Sequence, residues 1–340
     1  MKNILFKESS VIFIIFAALF NLCNKTLGGI MIKIILVICI LILVSIIILV
    51  EYTYKNAIMA ERKTEEIAIE VLKNRNLYNS ELENILEKSN YEEIECLSKE
   101  GYKLKGYYYE KYKNGDKGVI LVHGYTANHI IHSPFVKLFL DEGFNVLLID
   151  MRSHGNSEGK YISYGIHEKE DLSIWHGILK SKLKEGAFIG LHGQSMGAAT
   201  CLMYGAYKEN VDFIVADCGY SDGKELMKYQ IHEKAKAPFN IIYYLLNKKL
   251  KRKCNFTFDE ISPIKDIKDL NIPIFFVHGT LDRKVPFRMS REMYDSRNKS
   301  FDKFLEVKDA DHMVCFAKEK DNYKIMLHNF LKEAEDLKKH

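Results

Sequence analysis

The sequence has few cysteines, and none of its seven belongs to a Cys-x-x-Cys pair. Two lie in the apolar N-terminal region, and the other five are Cys96, Cys201, Cys218, Cys254 and Cys315. An odd number of scattered cysteines makes a poor disulfide framework and a poor zinc site. We therefore expect small, buried thiols in a domain that needs neither disulfides nor a metal.

The sequence also lacks a strong excess of charge of either sign. Its 49 basic and 45 acidic residues give a net charge of +4, and the two signs interleave along most of the chain. This distribution does not favour nucleic acid as a partner. The exception is the basic run KKLKRK at residues 248–253.

The longest apolar run covers residues 30–50 and is interrupted only by Lys33 and Ser45. About 20 apolar residues span a bilayer as a helix. Glu51 follows at once, without the small residues of a cleavage site. We predict an uncleaved single-pass anchor in the cell membrane. The flanking basic residues are nearly balanced, which leaves the side of the catalytic domain open.

Two further segments surround this anchor. The apolar run at residues 11–23 is too short to span a bilayer comfortably. Gly28 and Gly29 lie just before Met31, and the purine-rich codons of a Gly-Gly pair can coincide with a ribosome-binding site. Residues 1–29 are therefore interpreted as a weakly apolar or non-native extension, with Met1 and Met31 as alternative starts. Residues 51–90 favour helix and predict a stalk packed on the domain, with a capping box at Ser80 and Glu83.

Residues 91–340 alternate strands with helices and predict one catalytic domain. Strand patterns lie at residues 92–98, 103–110, 118–124, 144–150, 187–193, 211–217, 272–279 and 302–307. Helical patterns lie at residues 133–142, 168–184, 196–208, 288–297 and 318–338. The first two strands predict a hairpin. The alternation of the remaining strands with helices predicts an α/β fold with a mostly parallel central sheet and helices on both faces. Folds of this kind bind their ligands beyond the carboxyl ends of the strands.

The candidate nucleophile is Ser195, in the sequence GQSMG at residues 193–197. It lies between a buried strand pattern and a helix rich in small residues. Glycines on both sides permit the sharp turn that presents a serine hydroxyl at the end of a strand. This setting makes the short motif specific.

A serine hydroxyl needs a base, and the base needs an acid. His312 follows the last strand at the correct end of the sheet, whereas His123, His192 and His278 precede glycines, where packing or loop ordering is expected. Asp282 follows the strand at residues 272–279 and gives the order Ser, Asp, His expected for this fold. Asp217, on the preceding strand, is the alternative acid.

Acyl transfer also needs donors for an oxyanion. The backbone N–H of Met196, at the start of a helix, is one candidate. The backbone N–H of Tyr125, after the strand at residues 118–124, is the other.

The segments VHGYTAN, DMRSHGNSEG, GLHGQSMGAAT, DCGYSD, IPIFFVHGTLDRKVP and DADH resemble the α/β-hydrolase superfamily. The resemblance extends to its serine aminopeptidase-like and membrane-anchored cell-surface hydrolase members, and it covers residues 91–340. It implies a catalytic triad of Ser195, Asp282 and His312. It also implies a structural turn near the pocket, formed by Asp150, Arg152, His154 and Gly155.

Residues 221–267 occupy the usual place of a helical lid. Within them, FNIIYYLLNKKLKRK joins an apolar run to the basic run. The segment is interpreted either as a lid helix with a solvated basic end or as a contact with anionic headgroups.

The expected function is a serine hydrolase that cleaves small-molecule or lipid-like carboxylic esters through an acyl-enzyme, without a cofactor or a metal. A peptidase or amidase and a thioesterase are alternatives with the same triad. An inactive membrane-anchored binding module is the alternative from another class. The oligomeric state is left open.

Overall fold

The computed structural model describes residues 27–59, 61–208, 210–235 and 239–339. The apolar run at residues 11–23 lies outside the described residues. The chain divides into two compact units, Met1–Tyr54 and Lys55–His340.

The first unit contains helix α1 (Leu27–Thr53), and helical structure continues as a π-helical turn at Tyr54–Ile58. Residues Gly29–Ile58 are long and apolar enough to cross a membrane. Large apolar side chains along this helix, such as Ile30, Leu41 and Ile48, are exposed. A signal sequence near the N-terminus can also meet this criterion of length and composition.

The second unit is built on one eight-stranded sheet, in the order β1-β2-β4-β3-β5-β6-β7-β8. Its strands are β1 (Glu92–Leu97), β2 (Lys103–Tyr109), β3 (Lys117–Val122), β4 (Asn145–Asp150), β5 (Phe188–Gln194), β6 (Phe213–Asp217), β7 (Ile274–Gly279) and β8 (Lys303–Val307). Strand β2 runs antiparallel to β1 and β4, and the other pairs are parallel. The predicted hairpin and mostly parallel sheet are confirmed.

Helices connect the strands and cover the sheet. They are α2 (Glu65–Asn74), α3 (Ser80–Leu86), α4 (His129–His132), α5 (Pro134–Asp141), α6 (Glu168–Ser181), α7 (Met196–Lys208), α8 (Gly223–Ala235), α9 (Phe239–Cys254), α10 (Pro263–Asp266), α11 (Phe287–Arg297), α12 (Cys315–Lys318) and α13 (Lys320–Lys339). The central strands are fully buried because both of their faces are covered.

The two faces of strand β2 show how the layers are arranged. Tyr107 and Tyr109 join the core cluster that includes Phe139 of α5 and Phe330 of α13. Gly106 points to the opposite face, where an added Cβ would collide with the Trp175 ring of α6. Helices therefore lie on both faces of the sheet, as predicted.

Helices α2 and α3, within the predicted stalk, belong to the second unit and contribute to an apolar cluster in it. Leu72 of α2 and Leu82 of α3 share an apolar cluster with Ile130. The predicted capping box at Ser80 is wrong. Asn79 caps α3 instead, because its side chain accepts the Leu82 N–H at 2.9 Å.

Candidate active site

Ser195 lies in a tight turn between strand β5 and helix α7. Its φ angle of 55° is in the left-handed region, which is uncommon for a residue with a side chain. The turn is held because the Ser195 N–H donates to the carbonyl oxygen of Asp217 at 2.8 Å. A Cβ at Gly197 would collide with the carbonyl oxygen of Val122, and one at Gly193 would collide with the backbone of Gly197. The two glycines therefore allow the close approach that this turn requires.

His312 follows strand β8, Asp282 follows β7, and the two loops meet beside Ser195. His312 Nε2 lies 2.9 Å from Ser195 Oγ, and His312 Nδ1 lies 2.6 Å from Asp282 Oδ2. Because an ionised carboxylate only accepts hydrogen bonds, we assign the proton to Nδ1. Nε2 is then left to accept the proton of the serine hydroxyl. The structure thus brings the three predicted residues into one hydrogen-bonded chain.

The carboxylate of Asp282 is held by four hydrogen bonds. Oδ1 accepts from the backbone N–H groups of Lys284 and Val285, both at 2.8 Å. Oδ2 accepts from His312 and, at 3.1 Å, from Nε2 of His278. Burial alone would raise the pKa of Asp282, but the hydrogen bonds from the two histidines outweigh it and hold that pKa well below its usual range. The carboxylate is therefore ionised and fixed in orientation.

The imidazole of His312 is poised to act as a base. Burial lowers the pKa of His312, and the positive charge of Lys284 lowers it further. Asp282 acts in the opposite direction without restoring the ordinary value. His312 is therefore neutral at pH 7, as proton abstraction requires.

Asp217, the alternative acid, lies in a different environment. Its Oδ2 accepts a hydrogen bond from Nε2 of Gln194 at 2.9 Å. Burial raises the pKa of Asp217 to about 6. Among the residues that the structure describes, no hydrogen bond joins it to a histidine. The geometry therefore favours Asp282 as the partner of His312.

The two candidate oxyanion donors follow the ends of β3 and β5, and a Cβ at Gly124, the residue before Tyr125, would lie 3.2 Å from Ser195 Cβ. Within the described part of the chain, neither the Tyr125 N–H nor the Met196 N–H donates a backbone hydrogen bond. The Tyr125 ring stacks on the Tyr164 ring at 5.6 Å, and its hydroxyl donates to the carbonyl oxygen of Asn56 at 2.7 Å. The ring is thereby fixed, and the backbone N–H stays available.

His123 and His192, which precede glycines at the ends of strands, make structural hydrogen bonds outside the triad. Nε2 of His123 accepts the Met151 N–H at 3.0 Å, so its Nδ1 donates to the Gly124 carbonyl oxygen at 2.8 Å. This orders the loop before Tyr125, as expected. His192 belongs to a buried network, with its Nε2 3.0 Å from the Tyr323 hydroxyl.

His278 contributes to the site in a way that the sequence analysis missed. Its Nε2 faces two acceptors, Asp282 Oδ2 at 3.1 Å and the Val285 carbonyl oxygen at 3.0 Å, and must therefore carry a proton. The other nitrogen, Nδ1, lies 2.6 Å from the hydroxyl oxygen of Ser290. The sequence feature that could have indicated this contact is the position of His278, four residues before Asp282.

The predicted turn after strand β4 is organised by its two charged residues. The buried carboxylate of Asp150 accepts from the N–H groups of His129 at 2.7 Å and Asn156 at 2.9 Å. A Cβ at Gly155 would collide with that carboxylate. Arg152 is buried and forms a two-bond pair with Asp171, at 2.6 and 2.7 Å. These contacts fix the turn.

Among the described residues there are two groups of three side chains, and in each group the three potential metal-ligand atoms lie within 4.8 Å of one another. One consists of Cys218, Asp282 and His312, in which the two triad atoms are already joined at 2.6 Å. The other consists of Glu100, His167 and Glu170, whose carboxylates pair with Arg152 at 3.0 Å and Lys99 at 3.2 Å. Both sets are therefore engaged with protein partners.

Known proteins are similar to this chain in sequence and in fold. A family model described as the alpha/beta hydrolase fold matches residues 118–240. The uncharacterized protein YqkD of Bacillus subtilis is 31% identical over 238 residues, which cover 69% of this chain and 77% of YqkD. This chain belongs to the α/β-hydrolase superfamily. Membership supports a hydrolase activity.

Two further α/β hydrolases are similar to this one. The esterase Pf2001 of Pyrococcus furiosus has a solved structure with 27% sequence identity and a TM-score of 0.59, covering 75% of this chain and 96% of that protein. The thiohydrolase aneE of Aspergillus aculeatus is 30% identical over 136 residues, 39% of this chain and 42% of that protein.

Proposed function

We propose that this α/β hydrolase is a serine hydrolase that cleaves carboxylic esters through an acyl-enzyme. The observation that carries the proposal is the hydrogen-bonded chain from Ser195 Oγ through His312 to Asp282, at 2.9 and 2.6 Å. The similarity to an esterase of known structure supports the same chemistry.

The proposed reaction has two halves. His312 Nε2 takes the hydroxyl proton as Ser195 Oγ attacks the ester carbonyl, and the N–H groups of Tyr125 and Met196 stabilise the oxyanion. His312 then gives this proton to the leaving alcohol, and the acyl group stays on Ser195. Next, His312 takes a proton from a water molecule that attacks the acyl-enzyme. It returns that proton to Ser195 Oγ as the acid leaves.

Two features outside the triad support a lipid-like ester near a membrane. Helix α1 serves in this proposal as an uncleaved single-pass anchor. Helices α8 and α9 belong to the proposed lid at residues 221–267. On α9, Ile241 and Tyr244 are exposed, and Lys248 lies over the Tyr244 ring at 5.2 Å. An exposed apolar strip beside basic residues suits a headgroup boundary.

A thioester is the second candidate substrate. The similarity to a thiohydrolase favours it, and the same acyl-enzyme route releases a thiol instead of an alcohol. A thiolate needs less proton donation to leave than an amine does. The same geometry therefore supports a thioesterase more readily than a peptidase or amidase.

The test is a substrate panel with the purified full chain in detergent. It contains p-nitrophenyl esters of graded acyl length, an acyl thioester of coenzyme A and aminoacyl anilides. We expect turnover of the esters, and Ser195→Ala should abolish it. Turnover of anilides alone would indicate a peptidase or amidase. No turnover of any substrate would indicate a binding module.

A further inference from the structure

The residues that follow the apolar helix are attached to the hydrolase unit. Residues 56–58 belong to the second unit and form the last part of the π-helical turn at Tyr54–Ile58. The side chain of Ile58 is fully buried, and its carbonyl oxygen accepts the N–H of Ile162 at 2.9 Å. We call residues 56–58 the strap, because a buried side chain and a backbone hydrogen bond both tie them to this unit.

The turn that receives the strap is itself held in place. The buried carboxylate of Glu168 accepts from the backbone N–H groups of Ser163 at 2.9 Å and Gly165 at 2.8 Å. A Cβ at Gly165 would collide with Met203, so the turn packs directly against helix α7, which begins after Ser195. The strap is therefore attached to a fixed part of the structure.

Two tyrosines connect the strap to the loop that follows β3. The hydroxyl of Tyr164 donates to the carbonyl oxygen of Ala57 at 3.3 Å. The hydroxyl of Tyr125 donates to the carbonyl oxygen of Asn56 at 2.7 Å, and the two tyrosine rings stack with their centroids 5.6 Å apart. The strap thus holds the tip of the Tyr125 side chain, while Tyr164 covers one face of its ring. Because a tyrosine side chain has few rotatable bonds, fixing its ring also restrains its backbone.

Tyr164 has further contacts that do not involve the strap. Its carbonyl oxygen accepts the hydroxyl of Tyr220 at 2.9 Å, and its ring packs edge-on against the ring of Phe258, with the centroids 5.1 Å apart. Tyr164 is also buried, whereas Tyr125 is only partly buried. We therefore expect the position of Tyr125 to depend on the strap more than that of Tyr164 does.

The position of Tyr125 matters because its backbone lies beside the nucleophile. A Cβ at Gly124 would lie 3.2 Å from both Ser195 Cβ and the carbonyl oxygen of Gln194. The peptide group between Gly124 and Tyr125 carries the N–H that we propose as an oxyanion donor. Such a donor is effective only within hydrogen-bond distance of the position that the oxyanion will occupy. A small displacement of Tyr125 would therefore weaken stabilisation of the transition state.

The same loop contains a residue in an unfavourable conformation. Thr126, directly after Tyr125, has a φ angle of 54°, and this left-handed region is rarely adopted by a β-branched residue. A strained conformation of this kind persists only where the surrounding contacts impose it. The contacts of the Tyr125 side chain with the strap and with Tyr164 are of this kind.

We propose that the strap positions the Tyr125 N–H for oxyanion stabilisation. Residues 56–58 would then complete the active site, although they precede the catalytic domain predicted at residues 91–340. This inference rests on the proposed hydrolase function. The strap acts through the Tyr125 side chain and not on the substrate. Because the oxyanion forms only in the transition state, loss of the strap contact should lower kcat and leave KM nearly unchanged.

The test is a double-mutant cycle on the full chain in detergent, with p-nitrophenyl butyrate as substrate. Tyr125→Phe removes the hydroxyl that binds the strap and keeps the ring and the backbone N–H. Ile58→Ala removes the buried side chain of the strap. Each change should lower kcat about tenfold, which is less than the loss of a whole oxyanion donor, with KM within about twofold. The double variant should lose no more than either single variant, because both changes release the same contact.

Tyr112→Phe is the matched control, because the Tyr112 hydroxyl also donates to a backbone carbonyl, that of Leu140 at 2.9 Å, from the loop after β2. It should keep the wild-type kcat. A second readout is the inhibition constant of a trifluoromethyl ketone, whose tetrahedral adduct places an oxyanion in the same site. This constant should rise about tenfold in Tyr125→Phe and stay unchanged in the control. A contribution to stability alone would not move it.

The strap would be overturned if Tyr125→Phe had the kcat and inhibition constant of the Tyr112 control. Losses of kcat that multiply in the double variant would overturn it as well. If Ile58→Ala fails to fold, Tyr164→Phe, which removes the donor to Ala57, takes its place in the cycle. Failure of the wild type to hydrolyse any ester would instead overturn the proposed function.

Discussion

Asp282 is the most constrained of the three residues in the proposed triad. Its carboxylate accepts four hydrogen bonds, two from backbone N–H groups and two from histidines. The backbone bonds fix its orientation, and the bond to His312 fixes the tautomer of that imidazole. His278 adds a second contact to Oδ2, the oxygen that also accepts from His312. The residue therefore orients the base and stabilises its protonated form.

The first prediction compares the two candidate acids. Asp282→Asn should lower kcat for p-nitrophenyl butyrate by about 10⁴, because the amide favours the wrong histidine tautomer. Asp217→Asn should lower kcat far less, since Asp217 contacts Gln194 and not His312. Steady-state kinetics of both variants measure this. If the Asp217 variant lost more activity than the Asp282 variant, the acid would lie on strand β6.

The second prediction concerns the acidic limb of the pH–rate profile. His312 must be neutral to act, so activity falls as the pH drops through its pKa. Burial lowers this pKa, Lys284 and His278 lower it further, and Asp282 raises it. Lys284→Gln removes a positive charge, so the pKa and the acidic limb should move to higher pH.

The shift should be small, because Lys284 is exposed and solvent screens its charge. The profile of kcat/KM for a neutral ester, measured at low and high salt, detects it. Salt should move the wild-type profile towards that of the variant. The Lys248→Gln variant should keep the wild-type profile. A shift to lower pH would contradict the position of Lys284 beside His312.

At the scale of the element, the sharp turn from β5 to α7 depends on close backbone packing. A Cβ at Gly197 would meet the carbonyl oxygens of Val122, the last residue of β3, and of His123, which follows it; these backbone atoms cannot move aside easily. Helix α7 therefore approaches the end of β3 as closely as a glycine permits. This approach holds the Ser195 turn in place.

The third prediction follows from this packing. Gly197→Ala should lower the free energy of unfolding by about 2 kcal/mol and abolish ester hydrolysis. Gly177→Ala in helix α6 is the matched control, because its added Cβ meets nothing within 4 Å. That control should gain about 0.5–1 kcal/mol, since alanine favours helix over glycine. Denaturant unfolding measures both. Equal stability of the two variants would contradict the packing account.

Most elements of the fold could be predicted from local pattern. All eight strands lie within two residues of their predicted bounds. The central parallel strands were predictable because a buried parallel strand is a short apolar run between turn residues. The sharp turn at Ser195 could be predicted for the same reason, because its glycines lie at the end of such an apolar run. The cap of α3 was misplaced by one residue, because Ser80 and Asn79 are both good caps.

Contacts between distant segments could not be predicted in this way. Leu72 of α2, for example, lies in an apolar cluster against which Met313, beyond the end of β8, also packs. The periodicity of residues 51–90 shows a helix, but it does not show which loop the helix covers. The contact between His278 and Asp282 likewise depends on how the loop folds back after β7.

At the scale of the whole molecule, the apolar N-terminal helix and the hydrolase unit have separate physical roles. Residues Leu27–Thr53 form one α-helix along which large apolar side chains such as Leu41 and Ile48 are exposed, which suits a hydrocarbon environment. The unit Lys55–His340 has its own core. Anchoring would therefore localise the enzyme without taking part in catalysis.

The fourth prediction distinguishes an anchor from a cleaved signal sequence. Protein isolated from membranes after an alkaline carbonate wash should retain residues 30–50 in its mature form. Intact-mass measurement and sequencing of the N-terminus check this. A mature chain that begins after residue 50 would contradict the anchor and leave the hydrolase proposal intact.

The central claim is that Ser195 is the nucleophile, and covalent labelling tests it most directly. The full chain is treated with a fluorophosphonate probe, digested, and mapped by mass spectrometry. We predict one adduct, on the peptide that contains Ser195, with labelling lost in Ser195→Ala and strongly slowed in His312→Ala. Circular dichroism should show that the Ser195→Ala protein is folded. Undiminished labelling of that folded variant, or an adduct on a different serine of the wild type, would contradict the account.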